Sequence, residues 1–428
     1  MNKIILFLFL MPFFSNLYPQ AIINSYDIYV VQHESKTHLL INAKVSFEID
    51  NPVDTFELLF SSKNQVENIA HYDENHYKKV DYYSKGKDTM VIILSEQMKK
   101  DKKFTIVFDY MYPVIDTIIL LDRGHRWYPM IADNIFTFKT HLLVPANYIA
   151  LTAGNLINEV ISDNLISLTY ESTVHVFKLP LFITNEKNYV VKECKCSNIN
   201  TLVFLLPSSE NSAADTICYN TCSFITHCNS AIGEYRFNRL VLVESAEFDG
   251  ANLGSSFITL GSDVIKNLAA GYNEQLFMAL ASQWYGAGIF PKLFCKGFWF
   301  LSVSVPQYLR LMYIQETKGE EAFQKELNMC LDAYKKVEGS KNDMPIIEID
   351  FPNTKEKGIL IYGKGVVVLD LLRKQMGEEN WRIFTKDFYF EFSGRNITLK
   401  EFTGYIDKYD NSGKTTKYFF KLLEEKGL

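Results

Sequence analysis

The second half of this chain has no histidine. All eight histidines lie at or before His227, and none occurs from Cys228 to Leu428. That absence excludes a pair of histidine metal ligands on any helix of this half. An excess of positive charge is also missing. There are 44 Lys and Arg against 50 Asp and Glu, a net charge of −6, so nucleic acid is not an expected partner. Beyond the N-terminus no apolar run approaches the roughly 20 residues that a membrane-crossing helix needs. The chain is therefore not expected to span a membrane once its leader is removed. It also has no internal repeat and no low-complexity linker.

What is present points to a large globular protein. With 428 residues the chain is too long for one ordinary core and implies two or three domains. Hydrophobic residues make up 47% and charged residues 22%, which fits a folded chain. The 32 Phe and 25 Tyr suit β-structure and broad packed interfaces. Residues 1–20 read as an export signal: Lys3, then an apolar run from Ile4 to Phe14, then a more polar stretch to Gln20. Cleavage is expected near Gln20–Ala21, although no small-x-small triplet marks it. The mature protein is expected to be exported, periplasmic or extracellular. No cysteine near this segment offers a lipid attachment point.

Five of the seven cysteines fall close together: Cys194, Cys196, Cys218, Cys222 and Cys228. In an exported chain they suit one or two disulfides of open connectivity. A thiolate metal site is the alternative, but the spacing matches no known zinc pattern. The odd total leaves at least one thiol free.

The hydrophobic period divides the chain. From 21 to about 190 it is two, with the clearest strand at His38–Asp50, where Leu39, Ile41, Ala43, Val45, Phe47 and Ile49 alternate with mostly polar neighbours. Lys103–Tyr110 repeats the pattern, and 27–32, 55–61, 89–94, 135–144, 148–153 and 164–171 are further candidates. These imply a β-sandwich or saddle-like β-domain. The cysteine-containing stretch 191–230 reads as a connecting segment. From 231 to 428 the period becomes helical. Val264–Trp284 reads as one helix, with Ile265, Leu268, Tyr272, Leu276, Leu280 and Trp284 on one face. Ser304 with Gln307, and Thr398 with Glu401, have capping-box spacing. Further helices are expected at about 304–318, ended by Gly319, and at 320–337, 364–376, 379–392 and 398–408. The fold class is α+β, a β-domain followed by a mostly helical one.

Four stretches in order carry a family resemblance. They are Trp127-Tyr128-Pro129 with Thr152-Ala153-Gly154-Asn155-Leu156; Ile232-Gly233-Glu234-Tyr235-Arg236-Phe237 with Leu240-Val241-Leu242-Val243-Glu244; Gln283-Trp284-Tyr285-Gly286; and Tyr362-Gly363-Lys364-Gly365 with Leu369 and Leu372 behind it. Together they resemble the aminopeptidase N family of zinc metallopeptidases, the gluzincins. The resemblance implies an N-terminal β-domain and a thermolysin-like domain from 231.

The same resemblance shows what is gone. The family holds zinc with H-E-x-x-H on a helix and a glutamate on the next helix, and the glutamate between the histidines is the general base. Laying Gln283-Trp284 on the family pattern puts Met278 and Ser282 at the two histidine positions and Ala279 at the base. Val303 falls at the third ligand, with Leu301 or Ser302 as alternative registers; none is a carboxylate. The family's G-x-M-E-N, whose glutamate holds the substrate's amino group, aligns with Asp249-Gly250-Ala251-Asn252 and lacks the Met-Glu pair. Glu247 or Asp249 could offer a carboxylate nearby. Tyr362 is kept at the position of the oxyanion-stabilising tyrosine, and its structural reading is an aromatic with a satisfied hydroxyl lining the old cleft.

The expectation is therefore an exported pseudo-peptidase. Its cleft, lined by Gly250, Ala251, Asn252, Met278, Ser282 and Tyr362, holds no metal and no zinc cofactor. It binds a peptide or protein partner in the cell envelope. Alternatives are a hydrolase of atypical residual activity, one using His125 or His175 in other chemistry, and a structural envelope module.

Overall fold

The computed structural model describes residues 21–428 apart from 33–36, 52, 74–75, 115, 210, 248, 272 and 411. The export-signal reading and Tyr272 lie outside the described residues. The N-terminal part carries β1 (Ile22–Val31), β2 (His38–Glu48), β3 (Thr55–Leu59), β4 (Gln65–Asp73), β5 (His76–Lys79), β6 (Tyr82–Ser84) and β7 (Thr89–Ile93). A short helix α1 (Glu96–Asp101) is followed by β8 (Lys103–Pro113), β9 (Ile118–Leu121), β10 (Phe136–Pro145), β11 (Tyr148–Thr152), β12 (Asn155–Ser162), β13 (Leu165–Val176) and β14 (Leu181–Asn185). Eight of these strands form one broad sheet in the order β12-β13-β10-β1-β2-β8-β4-β5, flanked by two three-stranded sheets, β11-β14-β9 and β3-β7-β6. The cause is the alternation already visible in β2. Leu39, Ala43 and Val45 are fully buried between half-exposed polar neighbours, so one face of the sheet goes to the core and one to solvent.

The second part opens on β15 (Val190–Cys196), β16 (Ile199–Leu205) and α2 (Asn211–Ala231). The stretch 191–230 is thus not a connecting segment. β15 and β16 are the first strands of a five-stranded sheet completed by β17 (Arg239–Ser245), β18 (Ala251–Gly254) and β19 (Phe257–Gly261), in the order β15-β16-β17-β19-β18. The cysteines staple that sheet to its helix: Cys194 pairs with Cys218 and Cys196 with Cys222, while Cys228, Cys295 and Cys330 are free thiols. His227 lies on α2, buried, and pairs with Glu316.

Helices follow: α3 (Ser262–Ala269), α4 (Glu274–Ala281), α5 (Val305–Lys318), α6 (Glu320–Lys335), α7 (Lys355–Ile359), α8 (Gly365–Met376), α9 (Glu378–Phe392), α10 (Leu399–Ile406) and α11 (Lys414–Glu424). A two-residue strand pair, β20 (Phe290–Pro291) with β21 (Asn396–Ile397), ties the loop after α4 to the chain after α9. The single helix expected over 264–284 is two, α3 and α4, broken around Gly271 in the left-handed region. The Thr398–Glu401 capping box forms. The Ser304–Gln307 one does not, because Ser304 is already helical. A π-helical turn, Phe300–Ser304, runs straight into α5. The Ser304 hydroxyl instead donates to the Ile361 carbonyl at 2.7 Å.

One hydrophobic core runs through both parts, and a buried arginine locks them together. Arg239, at the start of β17, donates from Nε to the Gly154 carbonyl at 3.2 Å and from Nη2 to the Thr152 carbonyl. Its guanidinium lies 4.5 Å from the centre of the Tyr170 ring. Gly154 is in the left-handed region, and a Cβ there would meet the Glu171 carbonyl at 2.6 Å. The Gly154 amide donates to Ser256 Oγ in the other domain. Arg239→Met leaves two carbonyls without their donor and removes charge-assisted bonds in a dry site. It should lower the unfolding free energy by about 2–4 kcal/mol, read as an earlier urea midpoint with unchanged secondary structure in the native baseline.

Candidate functional site

The positions that the resemblance assigns to zinc chemistry lie on α4 and on two π-helical turns, Phe300–Ser304 and Leu360–Lys364. Such turns insert one extra residue into a helix and often mark functional sites. Here they pack on each other, with the Ser304 hydroxyl bonded across the gap. Ser282 caps the end of α4. It is buried, and its hydroxyl turns back to the Met278 carbonyl at 2.9 Å. Ala279 and Val303 are buried as well, and Met278 is only partly covered. The three ligand positions thus present a thioether, a hydroxyl engaged with its own helix, and an alkyl group. That donor set does not fit zinc, which takes thiolate, imidazole or carboxylate. The alternative registers offer nothing better: Leu301 is alkyl, and the Ser302 hydroxyl donates to the Phe298 carbonyl.

Charge in this region sits one helical turn earlier. Glu274, at the start of α4, accepts from Gln307 Nε2 at 3.1 Å and lies 3.6 Å from the buried guanidinium of Arg310. Arg310 also pairs with Glu326 at 2.8 Å. Burial first, and the Glu274 charge second, raise the pKa of Tyr362. The half-buried Tyr362 hydroxyl makes no hydrogen bond to protein among the described residues. This ion network had no sequence signal beyond the acidic start of α4.

The retained motifs are held by packing. Gln283 accepts from the Ser256 amide at 3.0 Å and from the Tyr235 hydroxyl, and donates to the Gly254 carbonyl at 3.0 Å. Trp284 donates to the Gly233 carbonyl, and Tyr285 stacks on Phe388. Trp127 donates to the Leu179 carbonyl, and Tyr128 accepts from the Leu179 amide. Lys364 donates to the Glu425 carbonyl just past α11. Gly365 touches Ser304 so closely that a Cβ would collide with its hydroxyl.

In the stretch Gly250-Ala251-Asn252, the Asn252 side chain faces a second pocket. β18 is an ordered edge strand next to α4, and no carboxylate occurs from Gly250 to Gly254. Asn252 points into this pocket between the two parts of the chain, not toward Ser282. The pocket has a volume of about 60 Å³, with walls including Leu121, Leu253, Phe257 and Pro180 and polar groups including Lys178 and Asp122. Asn252 accepts from Lys178 Nζ at 3.0 Å and donates to Asp122 at 2.5 Å. Asp122 also takes the Gly124 amide at 2.8 Å, and its Oδ1 lies 2.8 Å from His125 Nδ1. Burial works to raise the Asp122 carboxyl, yet the His125 hydrogen bond and the Lys178 charge hold it at about 2. Burial pushes the Lys178 ammonium down to about 8, against the pull of Asp122. His125 therefore has a carboxylate partner, but no serine or cysteine lines this pocket among the described residues. His175 faces the Gly394 carbonyl at 3.2 Å instead. Sequence reasoning missed this pocket, because Lys178 and Asp122 belong to no motif.

No protein-family model matches the chain, and no curated protein matches it significantly. Solved structures do, at the level of the fold. An M1 zinc metallopeptidase from Deinococcus radiodurans is 14% identical, with a TM-score of 0.71, 96% of this chain and 95% of that chain covered. A mutant of a two-domain M1 zinc metallopeptidase bound to L-arginine is 13% identical, with a TM-score of 0.74 and the same coverage. A Deinococcus radiodurans mutant bound to a Tyr-Ser-Ala substrate is 14% identical, with a TM-score of 0.71 and again the same coverage. This chain has the two-domain fold of the M1 zinc metallopeptidases, the aminopeptidase N family that its motifs resemble.

Two outcomes follow from the geometry. Lys178 has a folded pKa of about 8 against about 10.4 in an unfolded chain. Between about pH 8 and 10 the unfolded chain binds more protons than the folded one, so this lysine makes stability rise with pH. Comparing urea midpoints at the two ends of that window should show a smaller rise in Lys178→Met than in the wild type. Gly365→Ala should cost about 1–3 kcal/mol by overpacking, and adding Ser304→Gly should recover part of the lost melting temperature.

Proposed function

We propose that this protein is an exported pseudo-peptidase, a metallopeptidase fold that binds a peptide or protein partner without hydrolysing it. The observation that carries the reading is the donor set on α4 and the π-turn before α5. Met278, Ala279, Ser282 and Val303 replace two imidazoles, the base and a carboxylate. The Ser282 hydroxyl is already spent on the helix backbone. A zinc ion lacks ligands there, and a water lacks both the Lewis acid and the base that would activate it. Tyr362 then has no oxyanion to stabilise.

The packing supports the same view. Gln283, Trp284, Lys364 and Gly365 each have a structural task, while the zinc-ligand and base positions have changed and Tyr362 is kept. Polar ligands buried without a metal are costly, so their replacement by Met and Ala suits a fold kept without its ion. Two disulfides joining β15 to α2 suit an oxidising compartment, which supports export. The partner and its place in the cell envelope are part of this proposal.

The test is metal analysis of the purified oxidised protein together with a panel of aminoacyl and dipeptidyl reporter substrates. The expected result is substoichiometric zinc and no cleavage above a Gln283-intact, unfolded control. Stoichiometric zinc with cleavage abolished by a chelator would overturn the reading.

A further inference from the structure

We propose that the pocket between the two domains is a carboxylate-binding site, in which Lys178 receives the carboxylate and Leu121, Leu253 and Phe257 receive a short aliphatic group. The inference deepens the preceding reading, and rests on it in taking the chain as a binding protein. It gives the ligand a chemistry and a place away from the old zinc helix.

The argument begins with the hydrogen bonds. An ammonium has three donors. Among the described residues, Lys178 Nζ uses one hydrogen bond, to Asn252 Oδ1 at 3.0 Å, and has no carboxylate within ion-pair distance. The other donors are left beside a cavity in a largely apolar wall. A half-buried ammonium with donors to spare is completed best by an acceptor of opposite charge.

Asp122 is not that acceptor. Its two oxygens take the Gly124 amide and Asn252 Nδ2, and one of them lies against His125 Nδ1. These bonds orient Asn252 so that its carbonyl oxygen, not its amide nitrogen, faces Lys178. The chain His125–Asp122–Asn252–Lys178 therefore aims the ammonium and holds it. Arg123 adds positive potential close by, for its charge lowers the Lys178 pKa, and its Nε and Nη2 are buried without a partner. The remaining carboxylate, Glu247, is exposed. It forms no ion pair with the lysine among the described residues.

The walls set the rest of the ligand. Room for a water needs about 10–15 Å³, so a cavity of about 60 Å³ takes a group of a few heavy atoms. That suits the C-terminal carboxylate of a peptide, with the end of one aliphatic side chain, and not a folded domain. A charge-assisted bond in a water-poor pocket discriminates well between an acid and its neutral isostere.

The probe is isovalerate, compared with isovaleramide and isoamylamine of the same shape, by calorimetry on the full oxidised chain. Isovalerate should bind with a dissociation constant on the order of 1 mM, and the amide and the amine at least about tenfold more weakly. Lys178→Met should lose at least about tenfold of the isovalerate affinity. The wild-type ligand series decides the matter even if that variant does not fold. Three outcomes overturn the proposal: equal binding of acid and amine, unchanged affinity in folded Lys178→Met, or no binding of isovalerate up to about 50 mM. These outcomes are independent of zinc content and hydrolysis, so this site and the pseudo-peptidase reading fail separately.

Discussion

The buried Arg239 guanidinium is the interaction on which the arrangement of the two domains depends. It starts the central strand of one sheet and ends on the carbonyls of Thr152 and Gly154 in the other domain. A buried charge is tolerable only when its donors find acceptors. Two main-chain carbonyls and the face of Tyr170 meet that condition at one relative placement of the domains. Gly154 permits the approach, because any side chain there would strike the neighbouring strand. The pocket of Lys178, Asp122 and Asn252 exists because this placement brings β9, the 178–180 turn and β18 together. A hinge at the same boundary would open it.

A second constraint explains which sequence motifs survive. Gln283 satisfies the Ser256 amide and the Gly254 carbonyl with one side chain, and so sets the distance between α4 and the edge strand β18. Trp284 and Tyr285 fill the space behind it. Gly365 and Ser304 let the two π-turns touch. Each of these groups would leave an orphaned polar atom or a clash if replaced. The four positions of zinc chemistry carry no such duty. Met278, Ala279, Ser282 and Val303 fill space or satisfy themselves. Stability thus preserves one set of residues while leaving the other free to change.

Much of the fold was legible because its periods are strong. The β2 alternation is reproduced residue by residue in its burial. The Thr398 box closes as its spacing predicts, and Gly319 ends α5. The failures have local causes. The helix expected across 264–284 breaks near Gly271, where the apolar stripe continues past a left-handed residue and hides the interruption. Ser304 looked like a cap because Gln307 follows at the right spacing, but a π-turn had already made it helical, and its hydroxyl went to Ile361. Cys194 and Cys196 of β15 and Cys218, Cys222 and Cys228 of α2 give this stretch a linker-like composition that masks its strands.

By itself the sequence determined that the helical half has no imidazole, that its helix positions 278, 279 and 282 carry no metal ligand of the usual kind, and that strands precede helices. These are matters of composition and short-range period, which need no contacts. Only the tertiary structure decided that Asn252 faces Lys178 and not Ser282, that Glu274 and Arg310 place an ion network beside Tyr362, and that a pocket lies between the domains. The pocket depends on side chains brought together from positions more than 50 residues apart, Asp122, Lys178 and Asn252. No periodicity along the chain encodes such a meeting, because it is the packing of two separately formed domains that creates it.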